Sequence, residues 1–418
     1  MGLCDVKLRG MRWWIVGLIV LGTIINYLSR NTLGVLAPVL KTELGFTTEQ
    51  YSYVVGAFQL AYTIMQPVCG FVLDTLGLRA GFALFAVLWS IASCAHVLAG
   101  GWMTLAAFRG WLGLTEAAAI PAGVKAIAEW FPARQRSVGV GFITVGTSAG
   151  AMLAPPMVIY LDLHFGWRNA FLVTGGAGFL FALLWWRVYR PPSHHPWVGN
   201  TEREMIAAGK PPPVTTRPAL GQILRNRRFW GIALPRFLFE PAWQTFTFWI
   251  PLYLSTVRGM DLKEIALFAW MPFLAADLGS VCGGLLSPFL IKYFRVGLVN
   301  SRLIGVATGA VLMIGPGCIG LAPDGPTAVA LFCVGGFAHQ MISGLINTLA
   351  TDNFGSHEVA TVAGMAGTAA WTAGLGFSLV VGALADTVGY NPLFVCLSVF
   401  DLIGAAAAVM LLREPRNP

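Results

Sequence analysis

Twelve runs of roughly twenty apolar residues, spaced along almost the whole chain, leave little choice of fold. They lie at about 13–37, 51–73, 80–99, 102–128, 138–161, 168–188, 229–254, 264–290, 300–321, 327–350, 359–384 and 391–412. A helix needs about 20 such residues to cross a bilayer. In lipid every backbone N–H and C=O must be satisfied without water, which runs of this length achieve as helices. Only 11% of residues are charged and 56% are hydrophobic, whereas a soluble domain carries about 25% charge. The expected class is an all-α membrane protein with twelve transmembrane helices.

The net charge of +8 would suggest a nucleic-acid partner if it were clustered, but its placement follows the membrane instead. With the N-terminus inside, the cytoplasmic loops hold 19 of the 27 Lys and Arg residues, and the outer loops hold only Lys41, Arg168, Arg258 and Lys263. This positive-inside bias places both termini in the cytoplasm. Residues 191–228 interrupt the hydropathy with Pro191-Pro-Ser-His-His-Pro196, Pro211-Pro-Pro213 and Arg225-Asn-Arg-Arg228. They read as a cytoplasmic linker between an N-terminal half, 1–190, and a C-terminal half, 229–418. His194-His195 has no further ligand at metal spacing and reads as solvated loop. The seven cysteines are scattered singly, without metal or redox spacing. The first apolar run continues through Asn26 and Arg30 as a full span, unlike a cleavable signal.

The remaining four basic residues, Arg30, Arg109, Lys125 and Arg236, lie inside spans. A charge at mid-membrane costs at least about 2.5–3.5 kcal/mol, so each is a functional candidate. Arg109 and Glu116 stand seven residues apart in span four, on one helical face and roughly 10 Å from each other. An arginine and an acid on a buried face can bind an anion and carry a proton. Arg30 shares a face with Asn26 and Tyr27, too deep to snorkel. It either pairs with a buried acid elsewhere or faces a cavity as an anion-binding group. Gln59, Tyr62 and Gln66 line one face of span two, as interhelical glue or as sugar contacts. Lys125 reads as snorkelling or as the partner of Glu129. In span seven, Arg236 and Glu240 form an i, i+4 pair and Gln244 continues their face. Prolines 235, 241 and 251 are expected to make that span discontinuous, a feature of binding sites in transporters. Span ten carries His339, Ser343 and Asn347 at four-residue steps, and span eleven carries Trp371 among small residues. Asp401 in span twelve reads as structural.

The two halves echo one another weakly. Val68-Cys-Gly70 recurs as Val281-Cys-Gly283, and Glu129-Trp-Phe131 as Asp352-Asn-Phe354 at an offset of 223. That offset sends Glu116 to His339, a second titratable group. Gly146 and Gly150 in span five permit close helix approach, and Pro155-Pro156 kinks it.

Span two ends in Gly70-Phe-Val-Leu-Asp74-Thr-Leu-Gly77-Leu-Arg79 at a cytoplasmic turn. The layout resembles the gating motif of the major facilitator superfamily, with Thr75 where relatives usually carry a further Arg. Longer blocks extend the resemblance: Tyr27–Pro38, Gln50–Asp74, Glu129–Gly141 through Pro155-Pro156, Ile223–Leu252, Leu262–Gly284 and Gly335–Gln340. They are similar to the anion:cation symporters of that superfamily, and within it to bacterial hexuronate transporters. The resemblance implies the major facilitator fold, twelve transmembrane helices in two pseudo-symmetric six-helix bundles. It implies a monomeric proton symporter in the bacterial inner membrane, importing glucuronate and galacturonate. Arg30 then holds the substrate carboxylate, with Tyr27 and Tyr62 beside the sugar. Gln66, Gln244 and Asn347 meet hydroxyls and Trp371 covers the ring. Glu116 carries the proton, Arg109 is its companion, and His339 is a second titratable group. Gly70, Asp74, Gly77 and Arg79 form the gate. Many relatives have Asp just before the first-span Arg; here Ser29 takes that place, which points to one proton per cycle. Other sugar acids (aldonates, aldarates) and organic-anion exchange are the alternatives. No metal-ligand set, nucleophile–base pair or phosphate loop points to an enzyme, and no cofactor beyond the coupling proton is expected.

Overall fold

The structure, a computed structural model, describes residues 10–208, 219–260, 264, 268 and 270–413. Lys7, Arg9, Lys210, Arg217, Lys263, Arg416 and the Pro211–Pro213 run lie outside the described residues. Helices account for nearly all of it, and ten are long and apolar enough to cross a membrane among the described residues. The two further spans read from the sequence, near 102–128 and 229–254, fall below that measure for evident reasons. One is broken into two short helices, and the other carries Arg227, Arg228, Arg236 and Glu240.

The chain divides into two compact units. Unit one comprises residues 1–132, 145–218 and 354–364. It contains α1 (Met11–Leu44), α2 (Thr48–Leu76), α3 (Leu78–Ala95), α4 (Trp102–Glu116), α5 (Ala119–Trp130), most of α6 (Arg136–Phe165), α7 (Trp167–Val188) and α8 (Asn200–Ala207). The entry to α2 is a capping box: Gln50 N–H donates to Thr47 Oγ1 at 3.2 Å, and Thr47 N–H donates to Gln50 Oε1 at 2.9 Å. These bonds satisfy donors that the first helical turn leaves open. Apolar side chains around Leu36, Leu40, Val54, Leu105, Trp167 and Phe171 fill one core, while Leu163, Leu180 and others like them face outward, as lipid-facing residues do.

Span four shows why local sequence decides geometry. α4 stops at Glu116 and α5 begins at Ala119. Pro121 has no N–H to give the Ala117 carbonyl, so the helix is interrupted there. Span seven behaves differently from expectation. It runs unbroken as α10, Arg227–Thr256, through all three prolines. Membrane helices tolerate proline where neighbouring groups satisfy the freed backbone.

Unit two comprises residues 133–144, 219–353 and 365–418. It holds α9 (Leu220–Arg225), α10, α11 (Met271–Phe294), α12 (Leu298–Leu312), α13 (Ile314–Gly317), α14 (Gly325–Asn353), most of α15 (Val359–Val388) and α16 (Tyr390–Leu412). α11 and α14 pack closely, since a Cβ on Gly279 would fall 2.0 Å from the Phe337 carbonyl oxygen. Span nine breaks at Met313, between α12 and α13, where Pro316 withholds the N–H that Leu312 O needs.

The linker corrects one reading. His195 is buried rather than solvated. Its Nε2 bonds the Val188 carbonyl at 3.1 Å, and its Nδ1 accepts from Trp197 N–H at 3.3 Å. Glu202 on α8 accepts from the backbone N–H groups of Met11 and Arg12. A carboxylate there caps α1 and meets the positive end of its dipole.

Candidate functional site

In unit one the charges singled out from the sequence converge. Arg30 lies on α1 with its guanidinium 4.5 Å from the ring centres of both Tyr27 and Tyr62, and 5.2 Å from that of Phe58. Aromatic faces attract a cation, more strongly when it is out of water. Arg30 Nε donates to Glu116 Oε2 at 3.2 Å, and Nη2 to Asn26 Oδ1 at 3.4 Å. Glu116 is fully buried and its Oε1 has no hydrogen-bond partner.

Arg109, expected as the companion of Glu116, makes its hydrogen bonds to the backbone of Arg30. Both of its terminal nitrogens donate to the Arg30 carbonyl at 3.2 Å, and its guanidinium stacks 4.6 Å from the Phe58 ring centre. Glu116 therefore pairs with Arg30, while Arg109 braces the Arg30 backbone. Close packing brings the three together. A Cβ on Gly113 would meet the Phe58 carbonyl oxygen at 2.5 Å, so α4 lies directly against α2. A Cβ on Gly150 would meet Tyr27 Cβ at 2.7 Å, so α6 seats the tyrosine. Gln66 is buried below Tyr62 on the same helix, and its Nε2 has no partner. Ser29, just before Arg30, is also buried with its hydroxyl unbonded.

The span-two motif forms a separate cluster. Asp74 Oδ1 accepts from Lys125 Nζ at 2.7 Å, and Oδ2 accepts from the Thr361 N–H and hydroxyl, each at 2.7 Å. Lys125 also donates to the Ser356 carbonyl and stands 3.7 Å from Glu129. It belongs to this cluster rather than snorkelling, and Glu129 is its second carboxylate. Gly70 is required by close approach, because a Cβ would fall 2.2 Å from the Ala360 carbonyl oxygen. Gly77 takes φ 79° between α2 and α3, a left-handed backbone that suits glycine. Arg79 turns away from Asp74, and its guanidinium donates to the Trp186 carbonyl at 2.8 and 3.0 Å.

In unit two, Arg236 donates to Ser343 Oγ at 3.1 Å and lies 4.0 Å from Glu240. The i, i+4 pair is therefore present but loose. Gln244 is buried one turn on, and a Cβ on Gly374 would meet its Cγ at 2.5 Å, which packs α15 on this face. His339 is buried and stacks on Trp243 at 5.5 Å and 14°, with Nδ1 unbonded. Asn347, one turn beyond Ser343, and Trp371 on α15 are partly exposed.

Asp352 and Arg302 escaped the sequence reading as a site. Asp352 receives Arg136 and Arg302, each at 3.2 Å. Arg302 has no exposed surface and also donates to Ser287 Oγ and the Ala133 carbonyl. The offset of 223 that relates Glu129 to Asp352 also relates Arg79 to Arg302. That second echo was the available signal. Among the described residues, no group of three or more His, Cys, Asp or Glu could hold a metal ion, and the six described cysteines are free.

Buried, caged and mutually paired charges on membrane-spanning helices are the furniture of a solute carrier. The chain belongs to the Major Facilitator Superfamily, whose family model matches residues 19–378. It is a multi-pass transporter rather than an enzyme. It is 52% identical over 412 residues to the hexuronate transporter of Escherichia coli strain K12, covering 98% of this chain and 95% of the relative. It is 49% identical over 328 residues to the galacturonate transporter of Dickeya chrysanthemi, covering 78% and 95%. Among solved structures it resembles the proton:xylose symporter XylE bound to 6-bromo-6-deoxy-D-glucose, with a TM-score of 0.74, 16% identity and 97% and 96% coverage. At that identity the likeness bears on the fold alone.

Proposed function

We propose that this protein imports hexuronates, glucuronate and galacturonate, together with protons. It would work by alternating access across a bacterial inner membrane, with both termini in the cytoplasm. The observation that carries the reading is the Arg30–Glu116 contact inside the Tyr27–Tyr62 cage. A carboxylate already sits on the arginine, and a substrate carboxylate would compete with it. Protonation of Glu116 removes a buried charge and leaves Arg30 to make charge-assisted bonds to the sugar acid. Arg109 holds the Arg30 backbone in place throughout. Tyr27, Tyr62 and Gln66 take sugar hydroxyls. On the second half, Gln244, Asn347 and Trp371 are assigned to substrate, and His339 is a second titratable group. The Arg236–Glu240 pair neutralises its own charge there.

The rocking bodies would be residues 1–190 and 229–418, joined by 191–228, within one monomer. The cluster of Gly70, Asp74, Gly77, Arg79 and Lys125 is the gate that must loosen during the cycle. The named relatives support the substrate class.

The test is uptake of a radiolabelled sugar-acid panel in vesicles with imposed pH gradients. Glucuronate and galacturonate should accumulate when the outside is acidic. Glu116→Gln should preserve exchange and lower proton-driven accumulation. Undiminished accumulation by that variant would remove the proton role. A requirement for an internal counter-anion would replace symport with exchange, and uptake confined to aldonates or aldarates would redirect the substrate.

A further inference from the structure

Asp401 is a buried acid that the reading above does not use. It stands midway along the 23-residue α16, eleven residues from each end. That is about 16 Å of helix in either direction, far beyond the reach of an aspartate side chain. Its exposure is zero, and neither carboxyl oxygen has a hydrogen-bond partner. It faces inward on a stripe with Leu397, Ser398, Gly404 and Ala405, against α10, α12 and α13.

None of the charges on those helices compensates it. On α10, Arg227 bonds the Met410 carbonyl, Arg228 is exposed, and Arg236 is engaged with Ser343 and Glu240. Tyr253 bonds Arg258 and the Ile319 carbonyl. On α12, Arg302 is held by Asp352. α13 carries no titratable residue. A buried carboxylate with neither protein donor nor counter-ion is far too costly to persist, and such a group neutralises instead.

We propose that Asp401 is a proton-binding site of the carrier, protonated in this conformation and discharged in the opposite one. The register of α16 supports the second half of the statement. A Cβ on Gly231 would meet Leu412, and one on Gly404 would meet Phe239. This antiparallel pairing brings Asp401 level with Ala242, the residue after Pro241. Proline inside a helix removes one backbone bond and is a natural place to bend. On the other side, the broken span nine leaves Met313 O to accept from Ser398, one turn from Asp401. Bending at these two points opens the seam around Asp401 to water, where an aspartate ionises at neutral pH. The conformation that buries it therefore takes up a proton, by linkage. This rests on the proton-symport reading. It adds a second proton to the one at Glu116, so a monoanion moves with one net positive charge.

Two measurements test it. Infrared spectra of the purified protein should show a protonated carboxyl band that disappears in Asp401→Asn. In proteoliposomes, an inside-negative potential of about 100 mV should raise wild-type accumulation about 50-fold and leave Asp401→Asn unaffected. An unchanged carboxyl band overturns the protonation, and a voltage response retained by the variant overturns the linkage. Neither result touches Glu116, whose role is read from the loss of pH-dependent hexuronate binding in Glu116→Gln. If Asp401→Asn does not fold, wild-type protein treated with a carbodiimide reports instead. Mass spectrometry should find the adduct at Asp401, which only a protonated carboxyl forms. Its absence, or wild-type uptake indifferent to voltage, counts against the proposal.

Discussion

At the scale of single residues, the site turns on which carboxylate occupies Arg30. The charged atoms were legible in the sequence, because Arg30, Arg109 and Glu116 interrupt apolar runs that otherwise exclude charge. Their pairing was not. Helical spacing relates Arg109 to Glu116 along one span, but the bond from Arg30 to Glu116 joins α1 to the end of α4 across 86 residues of sequence, a contact no local pattern encodes. The pairing predicts how binding responds to pH. In the wild type, calorimetry should find hexuronate binding stronger as pH falls, because protons remove the competing carboxylate. Glu116→Gln should bind tightly at every pH. A pH dependence unchanged by that substitution would show that Glu116 is not the competitor. Arg30→Lys retains the charge but loses the planar fork and much of its stacking. Losing a charge-assisted bond of about 1.5–3 kcal/mol should weaken binding roughly 10- to 150-fold. Arg30→Ala should leave no measurable uptake.

At the scale of elements, prolines acted according to their position rather than their number. Three prolines did not interrupt α10, whereas Pro121 alone separates α4 from α5 and leaves Glu116 at a helix end. Pro121→Ala restores the N–H that Ala117 O lacks. The expected result is a longer helix that turns Glu116 away from Arg30, with uptake reduced and melting temperature not lowered. Uptake equal to wild type would show that the break does not position the acid. The linker element carries its own pH dependence. Burial, together with the charges of Arg190 and Arg203, lowers the His195 pKa from its usual 6.5. The docked state thus binds fewer protons than the undocked state below that value, and stability rises with pH. Docking is complete above about pH 6.5 and weakens as pH falls toward the depressed value. Hydrogen exchange across residues 195–206 should quicken on acidification. His195→Gln, which cannot titrate, should remove that pH dependence.

At the scale of the whole molecule, the apolar runs made the number and class of spans legible, but not the buried ionic ties between segments far apart in sequence. Arg136 and Arg302 count, by sequence alone, as two more cytoplasmic positive charges. In the structure both close on Asp352, whose side chain, like that of Arg302, is fully buried. Asp74 ties residues 125 and 361 in a comparable way, but Lys125 keeps Glu129 and the Ser356 carbonyl in reserve. The two acids should therefore differ in what their loss costs. Removing one partner of a buried pair costs about 3–5 kcal/mol, because the other is left as an uncompensated charge. Asp352→Asn strands Arg302 in that way and should lower the melting temperature more than Asp74→Asn does. Replacing a whole buried ionic set by apolar groups is often close to neutral. Arg302→Met combined with Asp352→Leu should accordingly recover most of the lost stability, while Arg136, which is partly exposed, turns to solvent. Thermal melts of the two single variants and the double variant decide the matter. A double variant no more stable than Asp352→Asn would mean that the ion pair itself, rather than the cost of an unpaired arginine, holds these segments together.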